Sequence, residues 1–127
     1  MDYSAETLYN GTSVYVSGAH RFGTDAMLLS AFCRPRRAER AVDLCSGCGI
    51  VALVWHDDGH RGPCTALELD PTASALCAAA ARDNDAGHIT PLCADLRDFC
   101  RTGAEQGRYD FAACNPCLLY TSPSPRD

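Results

Sequence analysis

Two carboxylates close short apolar runs in this chain: Asp43 ends Ala41-Val42, and Glu68 ends Thr65-Ala66-Leu67. Between them lies Asp43-Leu44-Cys45-Ser46-Gly47-Cys48-Gly49, a glycine-rich turn that opens onto an apolar stretch from Ile50. Strand, glycine turn, helix, strand and acid together describe a βαβ unit whose loop takes a nucleoside-bearing cofactor. Gly47 and Gly49 let the backbone come close to a ligand, since a Cβ at either position would fill that space. The following helix offers unpaired N–H groups to an anionic part of the ligand. Glu68 is placed to accept hydrogen bonds from two ribose hydroxyls.

The run Gly47-Cys48-Gly49-Ile50-Val51-Ala52 also fits G-x-G-x-x-A, the dinucleotide pattern. In that pattern the first glycine follows the strand almost directly, because a pyrophosphate sits against the turn. Here Asp43, Leu44, Cys45 and Ser46 intervene, and Asp43 puts a negative charge where a pyrophosphate would be repelled. A carboxylate there suits a cationic ligand, and S-adenosylmethionine carries a sulfonium and an ammonium group. On these residues the chain resembles class I S-adenosylmethionine-dependent methyltransferases, whose first motif the run Asp43 to Gly49 follows. The resemblance implies S-adenosylmethionine as cofactor, held by Asp43, Cys45, Gly47, Gly49 and Glu68. The bland alternative is a glycine-rich turn that binds nothing.

Two further positions extend that resemblance. Asp95 stands where the family places an acid or amide near the cofactor's adenine; by itself it also reads as the N-cap of a helix over Leu96–Arg101. Asn115-Pro116 resembles the start of the Asn-Pro-Pro-Tyr/Phe motif of methyltransferases that act on planar amino groups. Such an amine has its lone pair delocalised and is a poor nucleophile. The Asn oxygen and a backbone carbonyl can accept its two hydrogens, favouring a pyramidal nitrogen aimed at the methyl group, and proximity does most of the rest. Taken alone, Asn-Pro is a common strand-ending turn.

The elements that must hold these residues follow from periodicity and punctuation. Asn10-Gly11 between β-prone flanks in Leu8–Val16 predicts a hairpin. Thr24 or Asp25 is expected to cap a helix to about Cys33, with Met27, Leu28, Leu29, Ala31 and Phe32 on a buried flank. Strands are expected at about 41–45, 64–69, 89–93 and 109–114, and helices at about 50–56, 71–82 and 96–101. Pro71 suits a first helical position. This alternation predicts an α/β, Rossmann-like parallel sheet preceded by a short N-terminal hairpin and helix. Residues 1–40 form that extension, and 41–116 a partial cofactor-binding methyltransferase domain.

At 127 residues the chain is one domain, short for a complete doubly wound sheet. No apolar run approaches the ~20 residues needed to cross a bilayer, and no secretory signal is visible, so a cytoplasmic location is expected. The nine cysteines fall mostly inside predicted elements, which points to reduced and mostly buried thiols. Cys45-x-x-Cys48 lacks a second Cys/His pair at finger spacing, so no metal is expected. All eleven cations are arginine, and the net charge of −5 argues against a uniformly basic surface. Arg34, Arg36, Arg37 and Arg40 cluster before the first sheet strand, either as a solvated loop or as a phosphate-contacting patch.

Gly18-Ala19-His20-Arg21-Phe22-Gly23-Thr24-Asp25-Ala26-Met27-Leu28-Leu29 resembles the Gly-Thr-Asp-x-x-Leu-Leu signature of bacterial tRNA1(Val) adenine-N6 methyltransferases. That likeness implies methylation of an exocyclic adenine amino group in tRNA, with the base flipped into the pocket and the backbone held by arginines. It also implies that Gly23, Thr24 and Asp25 lie near the cofactor or the cap over it, the alternative being that Thr24-Asp25 simply caps a helix. A guanine amino group or a protein glutamine amide is an alternative acceptor, and a module that holds the cofactor without transferring is a third reading. Cys117–Asp127 departs from the family, which would continue with a second proline and an aromatic. It resembles read-through translation of a transposase adaptor from sequencing libraries, so 117–127 is expected to be non-native; a genuine Ser/Pro tail is the alternative. The chain is accordingly expected to be a C-terminally truncated fragment with an open sheet edge, poorly folded and inactive by itself.

Overall fold

The computed structural model describes residues 2–101 and 107–116, and the 117–127 tail lies outside them. In chain order the elements are β1 (Ser4–Thr7), β2 (Ser13–Val16), α1 (Thr24–Phe32), β3 (Ala41–Leu44), α2 (Ile50–Asp57) and β4 (Cys64–Glu68). They continue with α3 (Pro71–Asp83), β5 (Ile89–Cys93), α4 (Leu96–Arg101) and β6 (Phe111–Cys114). The chain is an α/β protein with a Rossmann-like sheet of four parallel strands in the order β5-β4-β3-β6. Leu44 at the end of β3 faces Leu67 on one side and Cys114 on the other.

Strand order sets the layers. The steps β3 to β4 to β5 run one way, so right-handed crossovers put α2 and α3 on one face. The return from β5 to β6 crosses back, which places α4 on the other face. The order reverses beside β3, and in open α/β sheets a crevice opens at that point, outside the carboxyl ends of the strands.

The core sits under α2, every residue of which from Ile50 to His56 is buried. A helix apolar on all sides is stable only when enclosed. Trp55 meets Phe111 edge-on at 5.6 Å and donates from Nε1 to the Cys33 carbonyl at 2.9 Å. On α3, Asp70 caps by accepting from the Thr72 and Ala73 backbones, and Pro71 occupies the first turn, where its missing N–H costs nothing.

Four expectations are corrected. The hairpin strands end before and begin after the loop Leu8–Thr12, and do not flank Asn10-Gly11 directly. Asp57 draws that loop onto α2: its carboxylate accepts from the Asn10 and Thr12 backbones, and its carbonyl from the Asn10 amide. Helix α1 starts after Gly23 with no side-chain cap, so neither Thr24 nor Asp25 caps it. Its buried residues are Ala26 and Ser30, one turn apart, while Met27, Leu28 and Phe32 are exposed. Small residues at helical spacing let α1 lie close on α2, and Ser30 donates its hydroxyl back to the Ala26 carbonyl. The thiols are also less buried than expected: Cys48, Cys64 and Cys77 are buried, but Cys33, Cys93, Cys100 and Cys114 are exposed.

At the amino ends of the strands, His56 stacks on His88 at 5.0 Å and His60 meets His88 at 5.7 Å. Burial, with His56, His60 and Arg61 nearby, holds the His88 imidazole down to about 4. An unfolded chain takes up that proton near pH ~6.5, so stability present above that pH is lost as pH falls towards 4. Asp43 opposes this over much of the same range, because its carboxyl is raised in the fold. His88→Gln is therefore expected to gain stability relative to the parent as pH falls from about 6.5 towards 4, where the Asp43 contribution acts unopposed, measured by urea unfolding across the range. An unchanged pH slope would show that His88 already carries its proton in the fold.

Candidate active site

The crevice at the carboxyl ends of the strands is a cleft of about 1270 Å³. Its floor is the turn after β3 (Cys45, Ser46, Gly47, Cys48) and the end of β4 (Leu67, Glu68, Leu69). Ala94 and Asp95 after β5 form one side, and Asn115 and Pro116 after β6 the other. The N-terminal segment Gly18–Gly23, with Asp25 and Ala26 of α1, closes it from above. Cys45, Gly47, Glu68, Asp95, Asp25, Asn115 and Pro116 thus share one cavity, whereas Asp43, Gly49 and Thr24 are outside its wall.

The turn is held in the left-handed region at Cys45 (φ 60°), Gly47 (57°) and Gly49 (89°). Only glycine adopts this region freely, so Cys45 carries strain of about 1–2 kcal/mol. A Cβ on Gly47 would meet open space, which keeps that backbone accessible from the cleft. One on Gly49 would strike Cys77 Sγ at 2.5 Å, so this glycine is required by packing against α3 rather than by a ligand. Ser46 N–H donates to the Leu67 carbonyl at 2.8 Å, tying the turn to β4.

Glu68, buried at the end of β4, accepts from Gly47 N–H on Oε1 (2.8 Å) and from Asp70 N–H on Oε2 (2.9 Å). These bonds fix the carboxylate and leave each oxygen a further lone pair for a hydroxyl donor. Asp43 lies beneath the turn, 1% exposed; Oδ2 accepts from Ala52 N–H at 3.3 Å, and Oδ1 is buried without a partner. Burial pushes its carboxyl up to about 7, the Ala52 bond pulls down, and the Glu68 charge adds to the rise. Among the described residues, no cationic side chain offsets the charge of this buried acid.

Asp95 bears out the expected N-cap of α4 and lines the cleft. Its Oδ1 accepts from Arg97 N–H at 2.8 Å, the local turn expected at the start of α4, and the Arg97 guanidinium grips both oxygens (3.2 and 2.9 Å). These Arg97 bonds hold its carboxyl down to about 2. Sequence reasoning assigned no role to His20, Arg21, Phe22, Leu69 or Arg97, all of which line the cleft. His20 Nε2 lies 3.5 Å from Asp70 Oδ2, which ties the N-terminal segment to the β4–α3 loop. Composition around His20 carried no local signal for this contact.

The arginine cluster lies elsewhere. The Arg37 carbonyl accepts from Arg61 and Gly62 before β4, and the Arg40 carbonyl from Asp110 and Phe111 at the start of β6. Those are the amino ends of the strands, opposite the cleft. Arg34 pairs with Asp58 at 3.4 Å, and Arg37 donates to the Gly59 carbonyl. The arginines of the cleft are Arg21 and Arg97.

This strand order, with a glycine turn and a strand-end acid at the switch point, is the class I S-adenosylmethionine-dependent methyltransferase fold. Solved structures share it. The human methyltransferase 10 domain containing protein superposes with a TM-score of 0.67 at 15% identity, over 85% of this chain and 55% of that one. A SAM dependent methyltransferase from Agrobacterium tumefaciens gives 0.64 at 17%, over 91% and 40%. Among curated proteins, the chain is similar to tRNA1(Val) (adenine(37)-N6)-methyltransferase of Shewanella amazonensis, 33% identical over 103 residues. It is 29% identical over 108 residues to the protein of that name from Flavobacteriaceae bacterium strain 3519-10. These matches take in 79% and 84% of this chain, which spans 42% and 45% of the relatives' own length. No family model matches the chain.

Proposed function

We propose that this chain carries the cofactor and acceptor residues of an S-adenosylmethionine-dependent enzyme that methylates the exocyclic N6 amino group of an adenine in tRNA. The observation that supports it is the arrival of Asn115-Pro116 in the same cleft as Gly47 and Glu68, in a chain similar to adenine-N6 methyltransferases. The residues present suit the cofactor. Glu68 has lone pairs free for ribose hydroxyls, Gly47 leaves its backbone open to the cleft, and Asp43 has an unpartnered buried oxygen that a nearby cation would balance. Asp95 suits the adenine amino group, and Cys45 and Asp25 complete the surroundings. Gly49 acts by shaping the turn.

Bound there, S-adenosylmethionine supplies an electrophilic methyl group on a sulfonium. The Asn115 side-chain oxygen accepts one hydrogen of the target amine and orients its lone pair, and Pro116 sets the direction of the chain beside it. Phe22, half-buried in the cleft wall, offers a face for a flipped base. Arg21 and Arg97 are better placed for RNA phosphates than the Arg34, Arg36, Arg37 and Arg40 cluster, which requires an RNA body that reaches the far end of the domain. A cytoplasmic site of action accords with a tRNA substrate.

Titration calorimetry is expected to detect S-adenosylmethionine binding, and a protein extended to the length of its relatives is expected to pass radiolabelled methyl groups to unmodified tRNA. Asn115→Ala should leave cofactor affinity intact and lower transfer by at least about 10²-fold, the scale for losing one positioned transition-state contact. Full turnover by that variant would remove Asn115 from the reaction.

A second expectation concerns pH. In the free protein the Asp43 carboxyl is pushed up to about 7 by burial, whereas a bound cation favours its ionised form. Below that pH, binding must first release a proton, so affinity falls as pH drops and levels off above it. Asp43→Asn should bind more weakly and lose this dependence. Equal parent affinity at roughly pH 6 and pH 8 would contradict the assignment.

A further inference from the structure

Cys45 and Cys114 come from chain positions far apart, yet their sulfurs lie 4.0 Å from each other. Cys45 follows Leu44, the residue that pairs with Cys114 across the parallel ladder of β3 and β6. Cys45 is thus one residue out of register with Cys114, a diagonal of about 6 Å for strands ~4.8 Å apart with a rise of ~3.3 Å per residue, within the Cα separation of about 4.4–6.8 Å that a disulfide spans. Closing the 4.0 Å gap to a bonded sulfur–sulfur distance of about 2.0 Å takes side-chain rotation together with movement of the turn that carries Cys45 towards β6.

We propose that Cys45 and Cys114 form a reversible disulfide that switches the cleft between a binding and a non-binding state. The two thiols differ in a way that orders the reaction. Cys114 is exposed at the end of β6, while Cys45 is half-buried, with its thiol pushed up to about 11 by burial, then by Cys114 and Glu68. Cys114 therefore meets an external oxidant first. With a low-molecular-weight disulfide such as glutathione disulfide, the Cys114 sulfur attacks one sulfur and expels one glutathione thiolate, leaving a mixed disulfide. Cys45 sulfur, losing its proton to solvent, then attacks the Cys114 sulfur and expels the second glutathione. Two protein thiols are oxidised, and one glutathione disulfide is reduced to two thiols.

The bond would link the two motifs that the proposed function needs to keep in register. Cys45 already sits at φ 60° in the turn that presents Gly47 N–H to Glu68, and Cys114 immediately precedes Asn115. Drawing Cys45 Sγ towards β6 pulls the turn away from β4. This structural step stands without the function proposed above; only its effect on affinity rests on S-adenosylmethionine binding.

The test exposes the protein to graded ratios of reduced to oxidised glutathione, blocks free thiols with N-ethylmaleimide, and maps peptides by mass spectrometry without reduction. A Cys45–Cys114 linked peptide that disappears with dithiothreitol is expected. Both thiols alkylated at every ratio, a glutathione adduct on Cys114 that never resolves, or linkage of either residue to another cysteine would overturn the proposal. S-adenosylmethionine affinity of the oxidised protein should fall by at least about tenfold, the scale of losing one hydrogen bond to a charged group, and recover on reduction. Cys114→Ser, checked for folding by circular dichroism, should bind with the same affinity under either condition. A linked peptide with undiminished affinity would refute the switch. Reduced protein that fails to bind the cofactor would instead count against the function proposed above, leaving the linked peptide to be judged by itself.

Discussion

Trp55→Ala is expected to destabilise the domain by about 3–5 kcal/mol, the range for removing a large aromatic from a well-packed interior. Trp55 is 1% exposed, and its ring fills the space between the sheet, Phe111 and the end of α1. Truncation leaves a cavity bordered by the rings of Phe111 and His60, which meet the indole edge-on. It also strands the Cys33 carbonyl that receives the indole N–H. Because domains of this size are stable by only about 5–15 kcal/mol, the loss takes a large part of the total. Urea unfolding followed by circular dichroism measures it, since this is the single tryptophan of the chain and fluorescence vanishes with it. Trp55→Phe keeps much of the volume and should cost roughly 1–3 kcal/mol, mainly the unpaired carbonyl. A loss below ~1 kcal/mol for the alanine variant would mean the core is not assembled around this ring.

Gly49→Ala is expected to cost about 2–5 kcal/mol, from two separable causes. Its φ of 89° penalises any Cβ by about 1–2 kcal/mol. The new methyl would also lie 2.5 Å from Cys77 Sγ and 3.0 Å from Cys77 Cβ, an overpacking that adds about 1–3 kcal/mol. Cys77 is fully buried on α3 and has no room to retreat. Adding Cys77→Ala should recover the second part and leave the first, so the double-mutant cycle should show a favourable coupling of about 1 kcal/mol or more. Simple additivity would show that the clash is relieved by a shift of the turn. In that case cofactor affinity should fall as well, because Gly47 N–H loses its alignment on Glu68 when the turn moves.

The order of elements was legible because each is marked locally. Pro71 and Asp70 announce α3, the apolar run Ile50–Trp55 announces a buried helix, and Asn115-Pro116 closes the last strand. Boundaries fell within a residue or two for the sheet and for α2, α3 and α4. The helix α1 was read less well, since contiguous apolar residues Met27–Leu29 suggested a flank, while the actual packing face is the small pair Ala26 and Ser30. Small residues give a weak hydrophobic signal although they permit the closest helix approach. Gly62 was overlooked for a similar reason. It stands in no motif, yet a Cβ there would lie 2.3 Å from the Glu39 carbonyl oxygen.

By itself, the amino-acid sequence determined the βαβ turn, the acids at the strand ends and the residues that suit a cationic nucleoside ligand. These follow from φ requirements, charge and spacing, all carried within a few neighbouring residues. Only the tertiary structure decided that Asp43 lies under the turn and not in the cleft wall, and that His20 and Phe22 close the cleft. It also placed the Arg34–Arg40 cluster at the far end and brought Cys45 against Cys114. Those relations depend on the strand order β5-β4-β3-β6. That order makes neighbours of chain segments far apart in sequence, through burial of shared apolar faces that no local pattern encodes.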